Sequence, residues 1–241
     1  MVIWRNRIKR KQSGFTLVEL AIVLVVIGLL LGGILKGQEL INSARARSLA
    51  DKATGIQTAY YGFFDRYRAI PGDMTAADAT SAIGVTISSG GDANGRLDNP
   101  ASAPWVEPNA LWEQLSKAGF IAGNHVGGSV APNAGNNVAP LNPFNQPIVV
   151  GRTADYMSTV TPVVGLNAVL GRGTPVDIAR EVDVKMDDGR PLTGTVRMAV
   201  DKDAVFGTVG QADAETACEV QSSNTYNVKG NSQDCNLVYL Y

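Results

Sequence analysis

The distribution of apolar positions divides the N-terminal part of the chain into two different helical segments. Residues 15–35 contain one ionisable side chain, Glu19, and the next charge is Lys36. At a helical rise of about 1.5 Å per residue this run extends roughly 31 Å, which matches the hydrocarbon core of a bilayer. We therefore expect residues 15–35 to insert into a membrane as a helix.

From residue 36 onward the apolar positions become periodic. They recur at spacings of three and four residues, which places them on one side of a helix. Pro71 and Gly72 end the pattern, because the residue before a proline disfavours helix and glycine tolerates a turn. We expect an amphipathic helix over residues 36–70 with an apolar stripe that packs on a sheet. The stripe consists of Leu49, Ala53, Ile56, Tyr60, Phe63 and Tyr67.

The remaining chain alternates between loops and short elements. Residues 72–108 and 122–143 are rich in small and turn-forming residues and are expected to be loops. Short helices are expected between Pro108 and Gly119 and between Pro175 and Asp187. A long helix followed by a mostly antiparallel sheet is an α+β fold. The expected strands are residues 146–151, 156–164, 166–170, 194–200 and 237–241.

A short motif lies where the charged N-terminal segment meets the apolar run. Residues 13–20 read Ser-Gly-Phe-Thr-Leu-Val-Glu-Leu. Gly14, Phe15 and Glu19 in this setting resemble the processing site of type IV prepilins and of the pseudopilins of type II secretion. The resemblance implies cleavage after Gly14 by a prepilin peptidase and N-methylation of Phe15. The basic residues before the motif are Arg5, Arg7, Lys9, Arg10 and Lys11.

The same resemblance implies the pilin fold, in which the sheet wraps the second half of the first helix. A carboxylate within a membrane costs on the order of 2.5–3.5 kcal/mol, so Glu19 calls for a partner. In the family, this carboxylate is thought to meet the N-terminal amine of a neighbouring subunit during assembly. The chain would then consist of a leader peptide 1–14, a transmembrane and filament-core helix 15–35, its amphipathic continuation 36–70 and a globular domain 71–241.

Two simpler interpretations explain part of this pattern. A secretory signal peptide has similar basic and apolar regions, and residues 44–46 resemble its cleavage site, but such signals usually end within about 30 residues. A plain signal anchor explains the apolar run but gives no reason for Glu19 or for the Gly14–Phe15 junction.

Charge and motif content argue against two other classes of function. Without the five basic leader residues, 16 Lys and Arg remain against 22 Asp and Glu, so the exported part is acidic and no nucleic-acid partner is indicated. No nucleophile, phosphate-loop or zinc-hydrolase motif is found, so we do not expect an enzyme. His125, the one histidine, has no second histidine or nearby cysteine with which to hold a metal.

Two further groups of residues invite an interpretation. Cys218 and Cys235 are the two cysteines of a chain expected to be exported, which favours a disulfide over two free thiols. A C-terminal disulfide loop is also typical of the pilin family. Asp92, Asn94 and Asp98 alternate as oxygen ligands do in a calcium loop, although an ordinary Asp/Asn/Gly turn has the same composition.

The sequence thus predicts a structural subunit, major or minor, of a type IV pilus or type II secretion filament. Its expected partners are prepilin peptidase, the inner membrane, copies of itself, other pilins and the assembly platform. We expect a single-pass protein of the bacterial inner membrane before assembly and a periplasmic or extracellular filament afterwards. The alternative is a membrane-anchored adhesin or ligand-binding tip protein that uses loops 72–108 and 122–143 as its contact surface.

Overall fold

The computed structural model describes residues 14, 16–99, 102–200 and 215–241. The chain divides into two compact units, one up to Asn42 and one from Ser43 to Tyr241. The basic leader and Phe15 lie outside the described residues.

One continuous helix, α1, spans Leu17–Tyr67 and confirms the long N-terminal helix expected from the sequence. It ends where Arg68 takes a φ of 55°, a left-handed value that interrupts the helical hydrogen-bond pattern. In the first unit the apolar side chains of α1 are exposed, from Leu17 at 87% to Leu35 at 67%. By length and composition α1 could cross a membrane, a criterion that a signal sequence also meets.

In the second unit α1 buries the apolar stripe that its periodicity indicates. Leu49, Ala53 and Phe63 are fully buried, and Tyr67 packs at the edge of the same core. The stripe meets Trp112 and Leu237 in one cluster. Burying a large apolar side chain contributes about 1.5–3 kcal/mol, so this face of α1 contributes strongly to holding the second unit together.

Four antiparallel strands form the main sheet, in the order β1-β2-β6-β3. Strands β1 and β2 pair with Val150 opposite Ala168, and β6 joins them with Tyr239 opposite Ala168. Two shorter strands, β4 and β5, form a separate hairpin. The strand bounds are Val149–Thr153 for β1, Gly165–Val169 for β2, Val196–Met198 for β3, Glu219–Val220 for β4, Thr225–Tyr226 for β5 and Leu237–Leu240 for β6.

The described residues also form four shorter α-helices and two short 3-10 helices. Helix α3 begins three residues earlier than expected, at Val106, after Trp105 adopts a φ of 67°. Helix α4 lies where the pattern after Pro175 predicts it. The bounds are Ala76–Ile83 for α2, Val106–Lys117 for α3, Val176–Met186 for α4 and Glu215–Cys218 for α5. The combination of a long helix with an antiparallel sheet confirms the α+β class.

Helix α2 corrects the prediction that residues 72–108 form one long loop. Thr75 caps its first turn by accepting a hydrogen bond from the Asp78 N–H, and the Thr75 hydroxyl donates to the Asp78 carboxylate at 2.7 Å. Gly84 closes the helix with a φ of 83°. A Thr-x-x-Asp start and a glycine stop are recognised helix signals, and both were present in the sequence.

The predicted strand over residues 156–164 is also wrong, because it reduces to an isolated bridge between Tyr156 and Ala199. Pro162 has no N–H to donate to a ladder. The Tyr156 hydroxyl instead bonds the N–H and C=O of Val163, each at 3.1 Å, and folds the segment back on itself.

Candidate functional site

The start of α1 is capped by a reciprocal pair of side chains. The Thr16 N–H and hydroxyl donate to Glu19 Oε2 at 2.8 and 2.9 Å, and the Glu19 N–H donates to Thr16 Oγ1 at 3.2 Å. This is the capping-box arrangement, in which each side chain satisfies a main-chain donor of the first helical turn. Glu19 therefore has a role within its own chain that the sequence interpretation missed, although Thr-x-x-Glu is its recognised signature.

The two hydrogen bonds from Thr16 converge on one carboxylate oxygen. Oε1 of Glu19 accepts no hydrogen bond from any residue that the structure describes. The carboxylate can therefore cap its own helix and still offer one oxygen to a second donor.

Gly14 is exposed and precedes the helix. A side-chain carbon added there would meet no atom of the described residues within 4 Å. The apolar side chains that follow are exposed as well, including Leu20 and Ile22. Along the chain, an exposed glycine is thus followed by a capped helix start and then by exposed apolar side chains.

A comparison with protein-family models gives the decisive observation. The model described as the prokaryotic N-terminal methylation motif matches residues 9–35. The chain carries the signature of type IV pilins and pseudopilins. This confirms the resemblance read from Gly14, Phe15 and Glu19. Comparisons with curated proteins and with solved structures gave no match.

The chain has the expected disulfide near Tyr241. Cys218 and Cys235 are joined, with their Cα atoms 5.8 Å apart, and both are buried. The loop between them contains the β4–β5 hairpin, and Cys235 also pairs through its backbone with Thr174 at the start of α4. The disulfide therefore fastens the hairpin to the core of the second unit.

The residues of the predicted calcium loop have separate partners. The Asn94 N–H donates to Asp73 Oδ1 and to Asp92 Oδ1, at 3.0 and 3.1 Å. Asp98 lies 3.8 Å from Arg152, in a partly exposed salt bridge. Asp92 forms a group with Asp73 and Glu107 in which one carboxylate oxygen from each lies within 4.8 Å of the others, and neither Asn94 nor Asp98 is a member of that group. Calcium binding at Asp92, Asn94 and Asp98 stays a prediction.

Glu107 lies at the centre of this acidic neighbourhood. Its side chain is buried, and Oε2 accepts the Asp98 N–H at 2.6 Å. Burial, followed by repulsion from Asp73, Asp92 and Asp98, raises the pKa of Glu107 from 4.5 to about 7. Sequence spacing could not identify this group, because the partners come from separate parts of the chain.

A second buried carboxylate, Glu113, connects the two long loops to α3. Its oxygens accept the N–H groups of Ser88 and Ser89 from one loop and of Gly127 from the other, at 2.9–3.1 Å. Burial opposes ionisation, but hydrogen bonds from Lys117 and Ser88 hold the pKa of Glu113 below its ordinary value. The loops named as a contact surface are thus attached to one anion.

His125 is buried beside the Asn137 carbonyl, with Nδ1 at 3.3 Å from that oxygen. Burial lowers the pKa of this imidazole, which favours its neutral form. Neither of the two described carboxylate clusters that could hold a metal includes it.

Proposed function

We propose that this chain is a structural subunit, major or minor, of a filament assembled by a type IV pilus or type II secretion machine. The observation that carries the proposal is the methylation motif at residues 9–35, which leads directly into an exposed apolar helix. Such a motif is typical of proteins that act by assembly, and the function requires no catalytic residue in this chain.

Processing is the first step of the proposed function. Prepilin peptidase cleaves after Gly14, and the new N-terminus at Phe15 is methylated. The exposure of Gly14 supports access by the peptidase, and no described residue lies within 4 Å of a Cβ atom added there. The mature chain then begins two residues before the start of α1.

Assembly follows from the charges that processing leaves in an apolar setting. The amine of one mature subunit and the Glu19 carboxylate of its neighbour would each be costly in lipid, and pairing neutralises both. Glu19 Oε1 is the oxygen available for this partner, since Thr16 uses Oε2. Before assembly the protein resides in the bacterial inner membrane, and afterwards in a periplasmic or extracellular filament.

Processing is tested by N-terminal sequencing and intact mass of the protein from its host. The expected mature chain starts at Phe15 and carries one added methyl group. Gly14→Val, which places a branched side chain beside the cleaved bond, should retain the leader. A mature start near Arg47 would establish the signal-peptide interpretation and remove the filament proposal.

The role of Glu19 is tested with two variants in cells that lack the wild-type subunit. Glu19→Gln keeps an oxygen for the Thr16 cap but removes the charge, whereas Glu19→Ala removes both. Both variants should insert into the membrane and fail to assemble, while the exposed Glu39→Gln should assemble normally. Normal filaments from Glu19→Gln would show that the cap, rather than an intersubunit ion pair, is what assembly needs.

The tip-protein alternative predicts a different abundance. Filaments sheared from intact cells contain a major subunit as their principal component, whereas a tip adhesin is present at trace level. Quantitative mass spectrometry of that fraction separates the two roles.

A further inference from the structure

A short segment of the second unit, residues 158–164, presents apolar side chains to solvent. Val160, Val163 and Val164 are 70%, 73% and 54% exposed. Residues 156–171 contain no charged side chain. Single exposed apolar residues are ordinary, but three within five positions form an uncharged patch of the kind found at interaction sites. We call residues 158–164 the valine loop.

Hydrogen bonds to neighbouring groups hold the valine loop in one shape. The Val163 N–H donates to the Tyr156 hydroxyl, and that hydroxyl donates to the Val163 carbonyl, both at 3.1 Å. The Arg197 guanidinium donates to the Ser158 hydroxyl at 2.8 Å. A loop fixed in this way loses little conformational freedom when a partner covers it, which favours binding.

An apolar groove in the same unit offers a surface that such a loop can enter. It consists of two adjoining depressions beside α1, of about 280 and 450 Å³, which share Gly55 and Phe120. One acid and one base, Asp51 and Lys52, also line it, so the groove is neutral overall and suits an uncharged occupant. We call this surface the Phe120 groove, and its apolar lining includes Gly55, Ile56, Phe120, Ala122 and Ile148.

The valine loop and the Phe120 groove lie at opposite ends of β1. Ile148 lines the groove and immediately precedes β1, whereas the loop follows the other end, where Thr153 pairs with Gly165. From Ile148 to Thr153 an antiparallel strand rises roughly 17 Å, at about 3.4 Å per residue. The exposed loop therefore lies away from the groove of its own chain, and a contact between the two requires a second copy.

The size of the valine loop indicates how such a copy is held. At about 100 Å² for each fully exposed valine side chain, the three valines present on the order of 200 Å² of apolar area. A specific contact between free partners needs roughly 1,000 Å² or more, so the loop suits a neighbour that another contact already keeps close. In the proposed filament, the exposed apolar side chains of the first unit supply that other contact.

We propose that the valine loop of one subunit packs into the Phe120 groove of the next subunit. Two different surfaces meet, so the contact is heterologous and leaves one free loop and one free groove after each addition. Such a contact extends into an open filament wherever the rotation between copies does not close a ring. This inference rests on the proposed filament function and adds to it a specific contact between second units.

Cysteine crosslinking in cells that lack the wild-type subunit tests the contact. The chain carries Val163→Cys on the loop and Ala122→Cys in the groove, and its two native cysteines are joined to each other. In sheared filaments a short bis-maleimide should give a ladder of crosslinked subunits, whereas either substitution alone should not. The matched control pairs Ala122→Cys with Val184→Cys, a valine of α4 that is 57% exposed, and should give no ladder.

Charge substitutions test whether the contact supports assembly. Val163→Asp places an unpaired charge in the groove and should lower the amount of subunit in sheared filaments about tenfold. Its level in the membrane should not change, because Val163 is largely exposed within its own chain. The control Val184→Asp should assemble normally. Adding Ala122→Lys to Val163→Asp supplies an opposite charge across the contact and should restore assembly.

The behaviour of the wild-type chain separates this inference from the proposed function. Absence of filaments from wild type would remove both. Wild-type filaments without a ladder from the 163–122 cysteine pair, or normal assembly of Val163→Asp, would overturn the contact between loop and groove and leave the proposed function standing. A ladder together with rescue by Ala122→Lys is the expected result.

Discussion

Replacing Glu107 by Gln should stabilise the second unit at neutral and alkaline pH. The wild-type carboxylate is buried beside Asp73 and Asp92, and an ionised Glu107 is repelled by both. Gln has nearly the same size and retains an oxygen that can accept the Asp98 N–H now bound at 2.6 Å. The substitution therefore removes the unfavourable charge and keeps the hydrogen bond.

The expected gain follows from the difference between the two pKa values of Glu107. Its pKa is about 7 in the folded protein against an ordinary 4.5. At about 1.4 kcal/mol per pH unit, ionisation costs the folded state about 3 kcal/mol relative to the unfolded chain. Because the folded pKa is the higher one, this cost is absent below pH 4.5, grows between pH 4.5 and 7, and is complete above pH 7.

The measurement is urea unfolding of residues 43–241 at pH 8 and pH 4, followed by far-ultraviolet circular dichroism. Glu107→Gln should raise the free energy of unfolding by about 3 kcal/mol at pH 8 and leave it nearly unchanged at pH 4. Asp92→Asn is the matched control, since it removes an exposed charge from the same cluster and should give a smaller gain. An equal effect of Glu107→Gln at both pH values would refute the reasoning.

Three further predictions concern stability and ion binding. Cys218→Ser or Cys235→Ser should each lower the free energy of unfolding by about 3 kcal/mol in urea titrations, and two alkylatable thiols in the native, non-reduced protein would contradict the disulfide. Millimolar calcium should raise the thermal midpoint of residues 43–241, and Asp92→Ala with Asp98→Ala should abolish the rise. An unchanged midpoint between chelator and several millimolar calcium would leave only the turn. Glu113→Gln should cost about 2–3 kcal/mol, because its amide turns a donor toward the loop N–H groups, and hydrogen exchange of the Ser88 and Gly127 amides should accelerate. Unchanged protection of these amides would rule out Glu113 as the attachment of the two loops.

The elements that were predictable from the sequence are those with a regular pattern of their own. The stripe on α1 repeats over several turns, so Leu49, Ile56 and Phe63 could be identified as core residues before any contact was known. The strands near β1, β2 and β6 were recognisable from their apolar runs, with ends shifted by no more than three residues.

The elements that were missed depend on short or non-local signals. Helix α2 is only eight residues long. Its N-cap residue, Thr75, lies in a segment dominated by loop-forming residues, which obscures the helix signal. The segment 156–164 has the composition of a strand, but Pro162 and the hydroxyl of Tyr156 give it other hydrogen bonds. A period-two pattern does not indicate whether a partner strand will be present.

The residues of the candidate site also differ in whether the sequence alone could identify them. Gly14, Phe15 and Glu19 lie close together in the sequence, so the family signature at residues 9–35 was recognisable without a structure. The burial of Glu107 and Glu113 was not recognisable, since it depends on how the flanking loops fold back over α3. Glu107 accepts a hydrogen bond from Asp98, nine residues away, and Glu113 accepts one from Gly127, fourteen residues away. A glutamate in a sequence is ordinarily expected on the surface, and only the folded loops reverse that expectation.

The position of β6 within the sheet has a consequence for the order in which the second unit can form. Leu237–Leu240 pairs with β2 on one side and with β3 on the other, although it follows both along the chain. When the chain is synthesised from its N-terminus, β2 and β3 therefore emerge with no strand between them, and the four-stranded sheet cannot close until β6 follows. The β1–β2 pair and β3 are thus joined through the strand that is made last of the four.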